Sequence, residues 1–200
     1  MKMSNKGQIF VAAAVIAVIA VASFSMIFVT TAVREQDETL RYKIRNIARE
    51  YESTTSIASA VNSTDGSLLD NLTLYFRKEM YPIDVRTIYL LTYSNAGSNT
   101  ARVVVGNFMK ENLNISLSLK NSSVSDKVLA LLDKSSQYFD ITFTGDVRID
   151  FNYTIGKNRF ESGTEFWSSK SSVTGVYDIF VSDGSSMIRK LDTYSVIKNE

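Results

Sequence analysis

The chain has 200 residues, with 22 Lys plus Arg against 21 Asp plus Glu and a formal net charge of +1. That balance gives no basic field to recruit nucleic acid. It has neither histidine nor cysteine, which excludes disulfides, Ser-His-Asp and Cys-His catalysis and nearly all zinc sites. Carboxylate, Ser/Lys or Tyr chemistry remains.

The first seven residues form a short basic leader carrying Lys2 and Lys6. Gln8 to Val33 follows without a charge, a proline or a glycine. As a helix it would run about 39 Å, enough to cross a bilayer core of about 30 Å. Positive residues precede it, and Arg34-Glu35-Gln36-Asp37-Glu38 lies just beyond. That asymmetry predicts a cytoplasmic N-terminus and an extracytoplasmic C-terminal part. The rest of the chain, roughly 165 residues, suffices for one domain with a real core.

Three fates of the N-terminus are open. The segment can stay as an uncleaved anchor, or be cut as a signal peptide after Ala20-Val21-Ala22, before Ser23. The third is a cut ahead of the helix. The residues Lys6-Gly7-Gln8-Ile9-Phe10, between a basic leader and an Ala/Val/Ile-rich helix, resemble the class III signal peptides of archaeal type IV pilins and archaellins. The resemblance covers the first 30 or so residues. It implies cleavage after Gly7 by a prepilin-type peptidase and a mature chain that begins at Gln8 and keeps the helix. It also implies self-association and contact with other pilin-like subunits. Ala13, Ala17 and Ala20 present small side chains at helical spacing, as close helix packing requires; Ala/Val-rich spans also occur in monomeric anchors.

From residue 34 to 60 the pattern stays helical but becomes amphipathic. Leu40, Ile44, Ile47, Ala48 and Tyr51 mark one face, and Arg41, Lys43, Arg45 and Arg49 the others. No proline or glycine interrupts Gln8 to Asp65, so a single helix, membrane first and then stalk, is predicted.

Residues 61–200 read as an extracytoplasmic head. Asn62 to Gly66 is a turn cluster. Ser67 and Asp70 have capping-box spacing ahead of a helix that Pro82 stops. Strands are predicted over Thr87 to Tyr93, Arg102 to Met109 and Asn114 to Leu119. Ser123 to Ser135 has helical spacing through Val124, Val128, Leu131 and Leu132. Tyr138 to Phe143 and Val147 to Ile155 read as a hairpin turning at Thr144-Gly145-Asp146. Asn158 to Gly175 reads as a Gly/Ser-flanked stretch, and Val176 to Val181 with Met187 to Tyr194 as a final hairpin. The predicted class is α+β: a long transmembrane and stalk helix, then a mostly antiparallel sheet of six or seven strands with one or two packed helices.

Five Asn-x-Ser/Thr sequons, at Asn62, Asn71, Asn114, Asn121 and Asn152, are candidate glycosylation sites in an exported domain. Asp146, Arg148 and Asp150 alternate, but an arginine between two carboxylates suits a surface charge pair better than a calcium loop. No cofactor, metal or catalytic residue is expected. Trp167, if exposed, is a candidate contact for a glycan or a neighbouring subunit; otherwise it caps the core. The sequence therefore points to a non-catalytic cell-surface protein, pilin-like by resemblance. The alternative is a permanently anchored single-pass domain that binds a ligand or partner.

Overall fold

A computed structural model describes residues 37–198. The leader 1–7, the expected span 8–33 and the small-residue stripe at Ala13, Ala17 and Ala20 lie outside the described residues. No helix among the described residues is long and apolar enough to cross a membrane.

The described part of helix α1 covers 37–60. It is amphipathic as its sequence predicts: Ile44, Ile47, Ala48, Tyr51, Thr55 and Ala58 are buried along one face. Helix α2 (Ser67–Glu79) folds back against it, with the Tyr51 and Phe76 ring centroids 6.3 Å apart. The α2 start departs from the expected capping box. Gly66 is the cap residue, in the left-handed region (φ 82°), and Asp65 Oδ1 takes the Ser67 N–H at 3.0 Å. Asp70 accepts instead from Tyr89 and, at 2.7 Å, from Ser136.

Eight antiparallel strands follow: β1 (Asp84–Asn95), β2 (Thr100–Phe108), β3 (Leu113–Ser122), β4 (Asp126–Leu131), β5 (Ser135–Ile155), β6 (Asn158–Phe166), β7 (Ser172–Ser182) and β8 (Met187–Ile197). The order is β4-β3-β5-β2-β1-β7-β8, with β6 on the free side of β5. β5 belongs to two sheets. Its first half pairs with β2, and its second half runs between β3 and β6. The expected hairpin at Thr144-Gly145-Asp146 is thus one continuous strand. The inward parity Phe139, Ile141, Phe143, Val147, Ile149, Phe151 passes through Gly145 without a break, and all six side chains are buried.

The expected helix over Ser123 to Ser135 is also a strand. Leu129 and Leu131 alternate inward while Val128 and Leu132 stay exposed, and β4 caps the sheet edge beside β3. Residues 158–166, expected within an irregular stretch, form β6. The described residues therefore hold eight strands rather than six or seven.

The result is layered. The β8-β7-β1-β2 sheet has helices on one face and the β4-β3-β5-β6 sheet on the other. β1 and β7 are buried on both faces nearly end to end, with Thr87, Thr92, Thr174 and Asp178 among their buried residues. The core between the sheets includes Ile88, Leu90, Val103, Ile115, Ile149 and Phe180. On the helix face, Tyr51 Oη bonds to Thr73 Oγ1 at 2.5 Å and donates to Thr87 Oγ1 at 3.2 Å, and Thr55 bonds to Tyr177.

Two tyrosines on that face lie over glycines. A Cβ on Gly106 would fall 2.3 Å from Tyr89 Cε1, and one on Gly175 would fall 2.0 Å from Tyr177 Oη. Neither ring can withdraw from its packed layer. Gly106→Ala is therefore expected to lose about 1–3 kcal/mol in urea unfolding, whereas Gly97→Ala, whose Cβ meets only Asn95 Oδ1 at 3.4 Å, should leave the midpoint nearly unchanged.

Candidate functional site: a groove at the open edge of the sandwich

The two sheets part at the β6 and β8 edges. β6 pairs only with β5, and β8 only with β7. A groove of about 390 Å³ runs between them. Its floor is the sandwich side of the β7–β8 hairpin, where Thr174 opposes Ser195 and Val176 opposes Thr193. Its wall is Gly163 to Trp167, at the end of β6.

Strand alternation sorts the wall. Phe166 turns inward, 5.4 Å from Phe143 in an edge-to-face pair. Trp167, one residue on, turns outward and is 53% exposed, so it does not cap the core. The turn that follows is stapled to β5: Asp146 Oδ1 accepts from Ser168 N at 2.9 Å and from Ser168 Oγ at 3.2 Å. The Lys170 N–H returns to the Trp167 carbonyl at 3.3 Å, and Lys170 Nζ stands 5.5 Å from the indole centroid. The backbone that carries the indole is thereby tied to β5, and the ring itself stands at the surface.

The groove mixes apolar surface with hydroxyls and is near balance in charge. Arg148 donates to Asp150 at 2.9 Å and to Glu165 at 3.4 Å. The three form a surface charge cluster, and no group of three metal-binding side chains occurs among the described residues. Thr174 Oγ1 and Ser195 Oγ are 3.0 Å apart. Thr164 is 6% exposed, and its hydroxyl has no hydrogen-bond partner. A buried hydroxyl without a partner costs about 1–3 kcal/mol.

The sequons fall in two places. Asn114 and Asn152 lie on the outer face of the β4-β3-β5-β6 sheet, in facing strands: Ser116 of one sequon is register partner to Asn152 of the other. Asn121, nearby, is exposed and donates to the Asp146 carbonyl at 2.7 Å. Asn62 is exposed with a positive φ of 53° and accepts from Lys198 Nζ at 2.7 Å. Asn71 is exposed on α2, but the Thr73 hydroxyl of its sequon is buried and donates to the Leu69 carbonyl at 2.7 Å. None of the five lines the edge groove. Of the residues singled out from sequence, Trp167 and Arg148 do, joined by Thr164, Glu165, Thr174, Thr193 and Ser195. Nothing in the pattern of these Thr and Ser residues sets them apart from others in the strands.

Comparison with protein-family models, with curated proteins and with solved structures finds no match.

Proposed function

We propose that the chain is a non-catalytic, membrane-inserted surface protein of the type IV pilin kind, a filament subunit or minor pilin whose head faces outward. The observation that carries this reading is α1. It binds the sheet by one face through Ile47, Tyr51 and Thr55, and in sequence it continues the uncharged Gln8 to Val33 stretch without an intervening proline or glycine. A long N-terminal helix that is apolar first and amphipathic where an antiparallel sheet packs on it suits a subunit held in a membrane and later withdrawn into a helical bundle. In that bundle Ala13, Ala17 and Ala20 supply the contacts between copies, and other pilin-like subunits can join. Lys6, Gly7 and Gln8 are the processing junction for a prepilin-type peptidase. The sequon asparagines Asn114, Asn121 and Asn152 lie on the side of the head away from the helices, where glycans leave the helix face clear.

The test is the mature N-terminus, read by intact mass and terminal peptide sequencing. A start at Gln8 is the expected result. A start at Met1 favours a permanent single-pass anchor with a binding head, and a start at Ser23 means a released domain and overturns both membrane readings.

A further inference from the structure

The geometry points to a saccharide-binding site in the groove between β6 and the β7–β8 hairpin, selective for a neutral sugar whose ring stacks on Trp167.

Three observations converge. A large aromatic ring stands half out of the fold at the mouth of a groove, on a turn locked by Asp146. A planar apolar face beside hydrogen-bonding groups suits a ligand that is itself apolar on one face and polar at its rim. A pyranose has that form, with axial C–H groups on its faces and hydroxyls around its edge.

Second, the groove offers the matching rim. Thr174, Thr193 and Ser195 present hydroxyls that can donate or accept, and Glu165 accepts. Third, the Thr164 hydroxyl is buried at the groove without a partner. Buried polar groups in native folds are satisfied with few exceptions, and an unsatisfied one calls for an explanation such as a bound molecule.

Charge decides between sugar classes. Arg148 is already held by Asp150 and Glu165, and the Lys170 ammonium lies at the indole. Among the described residues no unpaired guanidinium lines the groove to take a sulfate or carboxylate, so a neutral saccharide fits better than an acidic one. The site is a property of the head and holds whether or not the chain polymerises.

Trp167 is the only tryptophan in the sequence, so intrinsic tryptophan emission reports on this groove alone. The experiment uses the full chain in a detergent without a sugar head group. It is titrated with methyl α-mannopyranoside, methyl β-galactopyranoside, cellotriose and triacetylchitotriose, and applied to an array of neutral and sulfated glycans. The expected result is a saturable change in emission with at least one of the four, with a Kd of about 1 mM or tighter. Thr193→Val, on the exposed edge strand, keeps the fluorophore and should weaken that binding about 10-fold. Trp167→Ala should abolish array binding with its thermal midpoint unchanged. Three results would overturn the proposal: no response to any of the four together with a blank array, array binding that survives Trp167→Ala, or a preference for sulfated over neutral glycans.

Discussion

Arg189→Met is expected to destabilise the head by about 3 kcal/mol, the lower end of the cost of breaking a buried ion pair. Asp178 sits on β7 with no exposed surface. Its carboxylate accepts from Arg189 Nε at 2.8 Å, from Arg189 Nη2 at 2.6 Å and from Tyr153 Oη at 2.6 Å. The guanidinium lies 4.6 Å from the Phe160 ring centroid and 5.7 Å from that of Phe180. Methionine preserves the packing on Phe160 and removes the charge, so the buried Asp178 carboxyl loses its counter-charge and two of its hydrogen-bond donors. The lower end applies because the Arg189 side chain is 37% exposed and water can enter when it is gone. Asp178→Asn still accepts from Tyr153 and needs no counter-charge. The double variant should therefore recover most of the loss, and a double-mutant cycle in urea gives the coupling.

The second large effect is at Tyr51, where α1, α2 and β1 meet. Tyr51→Ala is expected to cost about 3–5 kcal/mol, as for other fully buried aromatics. Tyr51→Phe keeps the ring against Phe76 and Tyr177 and removes only the hydroxyl, so its cost should be about 1 kcal/mol. The pair differs again in alkali. Burial pushes the Tyr51 phenol up to about 12, against an ordinary value of about 10. A raised phenol pKa favours the protonated form in the folded state. Its contribution is complete below pH 10 and is lost as pH rises toward 12, because the unfolded chain gives up its proton first. Burial also raises Tyr89, Tyr93, Tyr153 and Tyr177. Stability measured by urea unfolding should therefore fall steeply above pH 10 in the wild type. The slope should be shallower by about one proton in Tyr51→Phe.

Much of this fold is legible in the sequence, and its misreadings share a cause. The amphipathic face of α1, α2 up to Pro82, strands β1, β2 and β3 and the final hairpin all follow from periodicity. What periodicity cannot settle is whether a Gly-Asp pair turns the chain. At Gly145-Asp146 the local turn preference was outweighed by pairing on both sides of β5, and the sign of this was the inward parity running unbroken through the glycine. Residues 123–135 misled because Val124, Val128 and Leu131 fit a helical period as well as Leu129 and Leu131 fit a strand. An edge strand backed by few partners carries a weak pattern of its own. Asp70 fits a capping box but is drawn away by Tyr89 and Ser136, a tertiary pull that local spacing cannot show. The groove was legible only through Trp167 and Arg148. Its other members are hydroxyl residues from three strands, brought together by the pairing of β7 with β8 and the approach of β6.

The placement of β1 between β2 and β7 sets the order in which the chain can mature. β1 and β2 can zip together as soon as both have been synthesised, but the other side of β1 waits for a partner far along the chain; Ser94 and Ser172 alone are 78 residues apart. Contacts of such sequence separation slow folding and keep unpaired strands available to other chains in the meantime. Until β7 emerges, a strand that the fold buries on both faces has one bare flank. The β7–β8 hairpin is therefore the piece that closes the exposed flank of β1 and ends its exposure to other chains.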